Sequence, residues 1–101
     1  MSHGLRIEQR DGRLSLAGEL DHAGVAQALA ESRNWLSLGS GVLQVDLSGI
    51  SRSESAGVAL LLEWLRQSRQ LGRDIEFLNP PAQLRSLLKF FELESLLPVR
   101  I

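Results

Sequence analysis

The side chains with the most chemical potential lie in one short segment between an apolar strand pattern and a leucine-rich helix pattern. We call this segment, residues 52–57, the serine loop. Hydroxyl groups beside a helix N-terminus suit anion binding, phosphate acceptance or partner docking, because free backbone N–H groups and the helix dipole favour negative charge there. The candidate site residues of the loop are Arg52, Ser53, Glu54, Ser55, Ala56 and Gly57.

A simpler interpretation of the serine loop is that it only starts a helix. Ser53 or Ser55 would then be the N-cap, which contributes about 1 kcal/mol to stability. Gly57 would allow close backbone packing in the first helical turn. The two interpretations are compatible, since a capping hydroxyl beside free N–H groups is also a polar docking point.

The remaining polar residues do not form a recognisable reaction centre. His3 lies at the chain start and His22 follows a predicted helix cap. Asp21, Asp46 and Glu54 lie at strand or helix ends, but their spacing does not bring oxygens together as magnesium requires. The chain has no cysteine and no glycine-rich phosphate loop. The sequence therefore predicts a protein that is not an enzyme and holds no metal or cofactor.

Composition narrows the class of protein further. The chain has 101 residues, a formal net charge of −1 and 44% hydrophobic residues, which is typical of one soluble globular domain spanning residues 1–101. Acidic and basic residues are mixed, so no basic stripe for nucleic acid is expected. No apolar run approaches the roughly 20 residues of a membrane span, and the N-terminus lacks signal-peptide features. We expect a cytoplasmic protein without direct membrane insertion.

The elements that must position the serine loop follow from periodicity. Apolar residues alternate with polar ones before and after Asp11-Gly12, namely Leu5, Ile7, Leu14 and Leu16, which predicts a β-hairpin with a two-residue turn. Asp21 then caps a helix predicted over residues 22–37. Its expected inward face carries residues at helical spacing, namely Val25, Ala26, Leu29 and Leu36.

The second half alternates strands and helices. An apolar strand ending near Asp46 precedes the serine loop, a helix is predicted over residues 56–71, and a short strand over 74–78. Asn79 is expected to cap a last helix, whose core face carries Leu84, Leu87, Leu88 and Phe91. Residues 98–101 are a candidate edge strand. The predicted fold class is α/β, with order ββαβαβα(β), a mixed sheet of four to five strands and three to four helices.

The helix after the loop has an unusually wide apolar arc. Leu60, Trp64 and Leu71 lie about 100° away from its main leucine stripe. Two interpretations stay open. Trp64 packs over the neighbouring last helix, or Leu60 and Trp64 form an exposed ridge in a partner interface, where tryptophan is enriched. Trp35, near the end of the first helix, is expected to be part of the core.

Three segments together resemble the STAS domain family. These are Gly18-Glu19-Leu20-Asp21, the strand end Asp46-Leu47-Ser48, and Glu54-Ser55-Ala56-Gly57 before a leucine-rich helix. In the family's usual pattern the residue at the position of Ala56 is often the phosphoacceptor serine of anti-anti-sigma factors. Ala56 has no hydroxyl, so phosphorylation at that position is chemically excluded, and Ser55 is the remaining candidate.

The chain is most similar to the MlaB-like subgroup, the STAS subunits of Mla-type ABC phospholipid transporters. This resemblance implies a non-catalytic accessory subunit that binds and supports the transporter's ATPase subunit in maintaining outer-membrane lipid asymmetry. It would be peripheral to the inner membrane through that partner, which would contact the serine loop, Leu60 and Trp64. The alternative is an anti-sigma-factor antagonist or another phosphorylation-controlled STAS switch. The cargo and the self-association of the chain stay open.

Overall fold

In a computed structural model, which describes residues 4–37, 39 and 41–100, the chain forms a five-stranded sheet and four helices. This confirms the predicted fold class, including the last strand. No helix in this described part is long and apolar enough to cross a bilayer. The elements in chain order are β1 (Arg6–Arg10), β2 (Arg13–Leu20), α1 (His22–Glu31), α2 (Arg33–Ser37), β3 (Leu43–Ser53), α3 (Ser55–Gln70), β4 (Ile75–Leu78), α4 (Ala82–Phe90) and β5 (Val99–Arg100).

The strands lie in the sheet in chain order. β1 and β2 are antiparallel, and all later neighbours are parallel. Connections between parallel strands are right-handed. Because each later strand is added on the same side of the previous one, every connecting helix lies on the same face of the sheet. The alternation of burial along β3 agrees with one covered face: Val45 and Leu47 are buried, whereas Asp46 is half-buried and Ser48 is exposed. The sheet therefore has no reversal of strand order, the place where open α/β sheets form ligand crevices.

The opening hairpin has the predicted two-residue turn. Arg10 pairs with Arg13, and Asp11 and Gly12 between them have φ angles of 49° and 80°. Two successive residues in the left-handed region are typical of a type I′ turn, whose twist matches that of the flanking strands. The turn sets the register in which Ile7 of β1 lies opposite Leu16 of β2.

The helix predicted over residues 22–37 is in fact two helices. Ser32, between α1 and α2, is buried, and its hydroxyl accepts a hydrogen bond of 2.9 Å from Trp64 Nε1. The inward face of α1 also differs from the prediction: Gly24 and Ala28 are buried, whereas Ala26 is exposed. A Cβ at Gly24 would lie 2.5 Å from the Glu19 carbonyl oxygen, so this side of α1 packs too closely for a larger residue.

The start of α1 is capped as predicted. The Asp21 carboxylate accepts a hydrogen bond of 2.7 Å from the Gly24 N–H. We expect Asp21→Ala to lower the free energy of unfolding by about 1 kcal/mol, because one N–H of the first turn loses its partner. Thermal unfolding should show a melting temperature lower by roughly 4–8 °C. Asp21→Asn keeps an acceptor and should unfold close to wild type; equal losses in both variants would contradict a capping role.

The last helix begins later than predicted. Its N-cap is Pro81, and Asn79 instead adopts a left-handed φ of 54° before the two prolines. Leu84 and Leu88 are buried as expected, but Phe91 is 42% exposed because the helix ends at Phe90 and the chain turns away. The predicted core face is therefore wrong for Phe91.

Candidate functional site

The serine loop is shorter than the sequence pattern suggested. β3 does not end near Asp46 but runs to Ser53, so Arg52 and Ser53 are strand residues. Glu54 is the N-cap of α3, and the helix begins at Ser55. Neither serine acts as the N-cap, so the prediction of a serine cap was wrong. Because the Glu54 side chain makes no capping hydrogen bond, the start of α3 is without a side-chain cap.

The backbone of the loop is held from two sides. On one side, the Glu54 N–H donates to the Leu20 carbonyl oxygen at 3.0 Å, which joins the loop to the end of β2. On the other side, the Gln83 carboxamide of α4 accepts from the Ser53 N–H and donates to the Ser53 carbonyl oxygen, both at 2.8 Å. Sequence reasoning did not identify Gln83, since it is 30 residues away from Ser53.

Close packing explains the glycine of the loop. A Cβ at Gly57 would collide with the Ser53 hydroxyl and would lie 3.0 Å from Leu20 Cβ. The Ser53 side chain is buried and donates to the Glu54 carbonyl oxygen at 3.0 Å. Ser53 and Gly57 therefore form the floor of the loop, and Ser53 is not directly accessible to a partner.

The outer surface of the loop is polar and open. Arg52, Glu54 and Ser55 are exposed, and Ala56 is half-buried. Ser55 stands in the first turn of α3, where the helix dipole favours an acceptor or an anion. The hydroxyl of Ser55 is thus placed for a hydrogen bond to another molecule, and it is accessible to a modifying enzyme.

Leu60 and Trp64 do not form an exposed ridge; that part of the interface prediction is wrong. Their relative exposures are 1% and 0%. The Trp64 ring packs edge-to-face against Trp35 of α2, with ring centroids 6.3 Å apart, and its Nε1 donates to Ser32. Leu60 and Trp64 are therefore covered by the layer of α1 and α2, whereas Leu71 of the same arc is 49% exposed. Trp35 is buried as predicted.

A shallow groove between α1 and α3 lies next to the loop. Val25 and Leu29 of α1 are half-buried on one side, and Ala59 of α3 is exposed on the other, one turn after Ser55. The sequence did not reveal this groove because Val25 and Leu29 pack against the core as predicted, but they stay half-buried and also line the groove. The other lining residues are Arg33, Leu60, Glu63 and Gln67. We call this feature the α1–α3 groove.

Glu63 supplies a fixed negative charge in the α1–α3 groove. Arg66 Nε donates to its carboxylate at 2.9 Å and Gln67 Nε2 at 2.7 Å. These bonds, that from Arg66 most strongly, lower the pKa of Glu63 from 4.5 to about 2. Because the folded state has the lower pKa, the linked stabilisation is complete above about pH 4.5 and is lost as the pH falls through about 2.

We expect an NMR titration to place the Glu63 carboxyl midpoint near pH 2 and Arg66→Ala to move it back toward 4.5. Removal of the guanidinium takes away both a hydrogen-bond donor and a positive charge. Arg69→Ala changes an exposed arginine of the same helix and should leave the midpoint unchanged. An unchanged midpoint in Arg66→Ala would contradict this assignment.

The other acids do not converge. Asp21 caps α1, and Glu54 is exposed at the start of α3. Partial burial raises the pKa of Asp46, but hydrogen bonds from Ser48 and Asn79 and the charge of Arg13 outweigh it and lower the pKa overall. Within the described residues, no three acids or histidines are grouped to hold a metal ion.

Of the two histidines, the structure describes only His22. His22 is exposed in the first turn of α1, and His3 lies outside the described residues. The exposed polar residues of the serine loop therefore favour binding to another molecule over a reaction at this site.

Comparison with known proteins places these features in context. A protein-family model described as "Mlab, STAS domain" matches residues 3–98. No curated protein matches the chain. Solved structures of anti-sigma factor antagonists do match it, at identities that show a shared fold alone.

Three such structures illustrate the likeness. The antagonist SpoIIAA in its unphosphorylated form is 23% identical, with a TM-score of 0.74, and the match covers 96% of this chain and 88% of that chain. The phosphorylated form of SpoIIAA from Bacillus is 23% identical, with a TM-score of 0.69 and coverages of 96% and 91%. An antagonist from Mycobacterium paratuberculosis is 21% identical, with a TM-score of 0.73 and coverages of 94% and 82%.

Proposed function

The chain belongs to the STAS domain family, and we propose that it is a non-catalytic accessory subunit of an ABC phospholipid transport system. In this role the single domain, residues 1–101, binds the transporter's ATPase subunit and supports its assembly or activity. It acts in the cytoplasm, at the inner membrane through that partner, in a system that maintains outer-membrane lipid asymmetry. It needs no cofactor and binds no nucleic acid.

One observation carries the proposal. Ser55 is exposed at a helix start without a side-chain cap, and the next residue is Ala56. The loop therefore keeps a hydroxyl for docking but has none at the position where, in the family's usual pattern, signalling members carry their phosphoacceptor. The MlaB-like character of the matching family model supports the same assignment.

The proposed contact surface has two parts. The first is the outer side of the serine loop, residues Arg52, Glu54, Ser55 and Ala56, held on the floor made by Ser53 and Gly57. The second is the α1–α3 groove, where half-buried Val25 and Leu29 and exposed Ala59 offer apolar area beside the loop. Leu60 and Trp64 support this surface from inside. Specific protein interfaces combine an apolar core with a polar rim, and this surface offers both kinds of area.

Co-expression tests the proposed partner. The tagged chain should retain the ATPase subunit of an Mla-type transporter from the same cell through affinity purification and gel filtration. The ATPase subunit of an unrelated ABC importer from that cell is the matched control. Absence of a complex with the first protein, or equal retention of both, would contradict the proposal.

The alternative function is an anti-sigma-factor antagonist or another phosphorylation-controlled switch. The accessible Ser55 hydroxyl at a helix N-terminus favours it, because a phosphate there would meet the positive end of the helix dipole. The carboxylate of exposed Glu54, the preceding residue, would repel that phosphate. Mass spectrometry after incubation with a candidate kinase decides: phosphate on Ser55 that releases a bound partner would favour the alternative.

A further inference from the structure

We propose that Gln83 is the positioning residue of the serine loop and that binding through the loop depends on it. Gln83 lies outside the loop, in the first turn of α4. Its carboxamide makes two hydrogen bonds of 2.8 Å to the backbone of Ser53, one as acceptor and one as donor. The part of this inference that concerns binding rests on the proposed function, whereas the part that concerns loop position does not.

The sheet itself explains why a carboxamide is needed at Ser53. β4 pairs with β3 only from Leu43 to Asp46 and ends at Leu78. Beyond that point β3 continues to Ser53 with only β2 beside it. The N–H and carbonyl groups of Ser53 that face away from β2 would therefore have no strand partner. Because Ser53 is buried, leaving them unpaired would be costly.

At Ser53, Gln83 makes the two backbone hydrogen bonds that a neighbouring strand would otherwise make. A carboxamide carries one acceptor and two donors on a planar group, like a peptide unit. With the Glu54 N–H bonded to Leu20 on the opposite side, the last residues of β3 are held between β2 and α4. Ser55 follows after Glu54, so the position of its hydroxyl is set by contacts from both sides of the strand end.

Amide hydrogen exchange tests the positioning. In Gln83→Leu, which keeps the size but removes the polar atoms, protection of the Ser53 amide should fall about five- to ten-fold. The Leu43 amide, which donates to the Asp74 carbonyl oxygen at the other end of β3, should be unaffected. Gln70→Leu makes the same change at an exposed position of α3 and should alter neither amide. Unchanged Ser53 protection in Gln83→Leu would overturn the inference.

The conservative variant Gln83→Glu separates hydrogen bonding from space filling. A protonated carboxyl can donate to the Ser53 carbonyl, whereas a carboxylate cannot. The ordinary pKa of a glutamate is about 4.3. The carbonyl carbon shift of Ser53 should therefore match wild type well below this value and match Gln83→Leu at pH 7. Arg52, Glu54 and Arg85 are the neighbouring charged residues in sequence, so each variant is compared with wild type at the same pH.

Identical Ser53 shifts in the leucine and glutamate variants at both pH values would show a space-filling role and overturn the inference.

Binding provides the last measurement. Gln83→Leu should weaken the affinity for the ATPase subunit at least about five-fold, while Gln70→Leu should not. Lost protection with unchanged affinity would overturn the dependence of binding on Gln83. If wild type itself does not bind the ATPase, the proposed function fails, but the exchange and shift results still decide the positioning.

Discussion

Replacing Ser55 with aspartate should strongly weaken binding of the ATPase subunit while the domain stays folded. If the Ser55 hydroxyl is desolvated at the centre of the interface, a carboxylate there is buried without a partner of opposite charge. Such a change costs about 2–5 kcal/mol of binding free energy, which is roughly 30-fold to several thousand-fold in Kd. Isothermal titration or biolayer interferometry measures this loss.

The Ser55→Asp variant should lose affinity for the ATPase subunit without losing stability. An acid in the first turn of a helix interacts favourably with the dipole, by about 0.3–1 kcal/mol, and offsets repulsion from exposed Glu54. We therefore expect the melting temperature of Ser55→Asp to stay near that of wild type. Ser86→Asp places the same charge at an exposed position of α4 and should bind normally. Undiminished ATPase binding by Ser55→Asp would count against the proposed contact surface.

Replacing Trp64 with alanine should have the largest effect on stability. The side chain is fully buried, packs against Trp35 and bonds to Ser32. Truncation of a buried tryptophan typically costs about 3–5 kcal/mol, because packing is lost and a cavity forms. The whole free energy of unfolding of a domain of this size is only about 5–15 kcal/mol. We expect the melting temperature to fall by roughly 15 °C or more.

Phe90→Ala is the matched control for this large aromatic truncation. Phe90 is 79% exposed at the end of α4, so its removal should change the free energy of unfolding only slightly. Urea unfolding followed by circular dichroism gives both values. A Trp64→Ala variant that unfolds like wild type but no longer binds the ATPase would contradict the burial of Trp64 and would support an exposed ridge.

Local patterns in the sequence were sufficient for most of the fold. The turn at Asp11-Gly12 and the cap at Asp21 depend on residues only a few positions apart, and the structure has both. The order of strands and helices follows from periodicity for the same reason. The start of α3 at Ser55, one residue before its predicted start, is also set locally.

Several of the predictions that failed depended on contacts between distant segments. The pattern of α3 gives the width of its apolar arc but does not say what covers Leu60 and Trp64. Ser32, which is 32 residues from Trp64, divides the first predicted helix and accepts the hydrogen bond that fixes the Trp64 ring. β3 extends to Ser53 because β2 pairs with it along that length.

What the sequence alone determined is the chemistry available at the serine loop: a hydroxyl at Ser55, none at Ala56, and a helix to follow. These are covalent facts and local propensities, which need no tertiary contact. Only the tertiary structure decided which groups face outward and what holds them. Ser53 is turned inward onto Gly57, and Gln83 is brought to its backbone from 30 residues away. Such placements depend on the packing of α4 beside the end of β3, which no short-range pattern encodes.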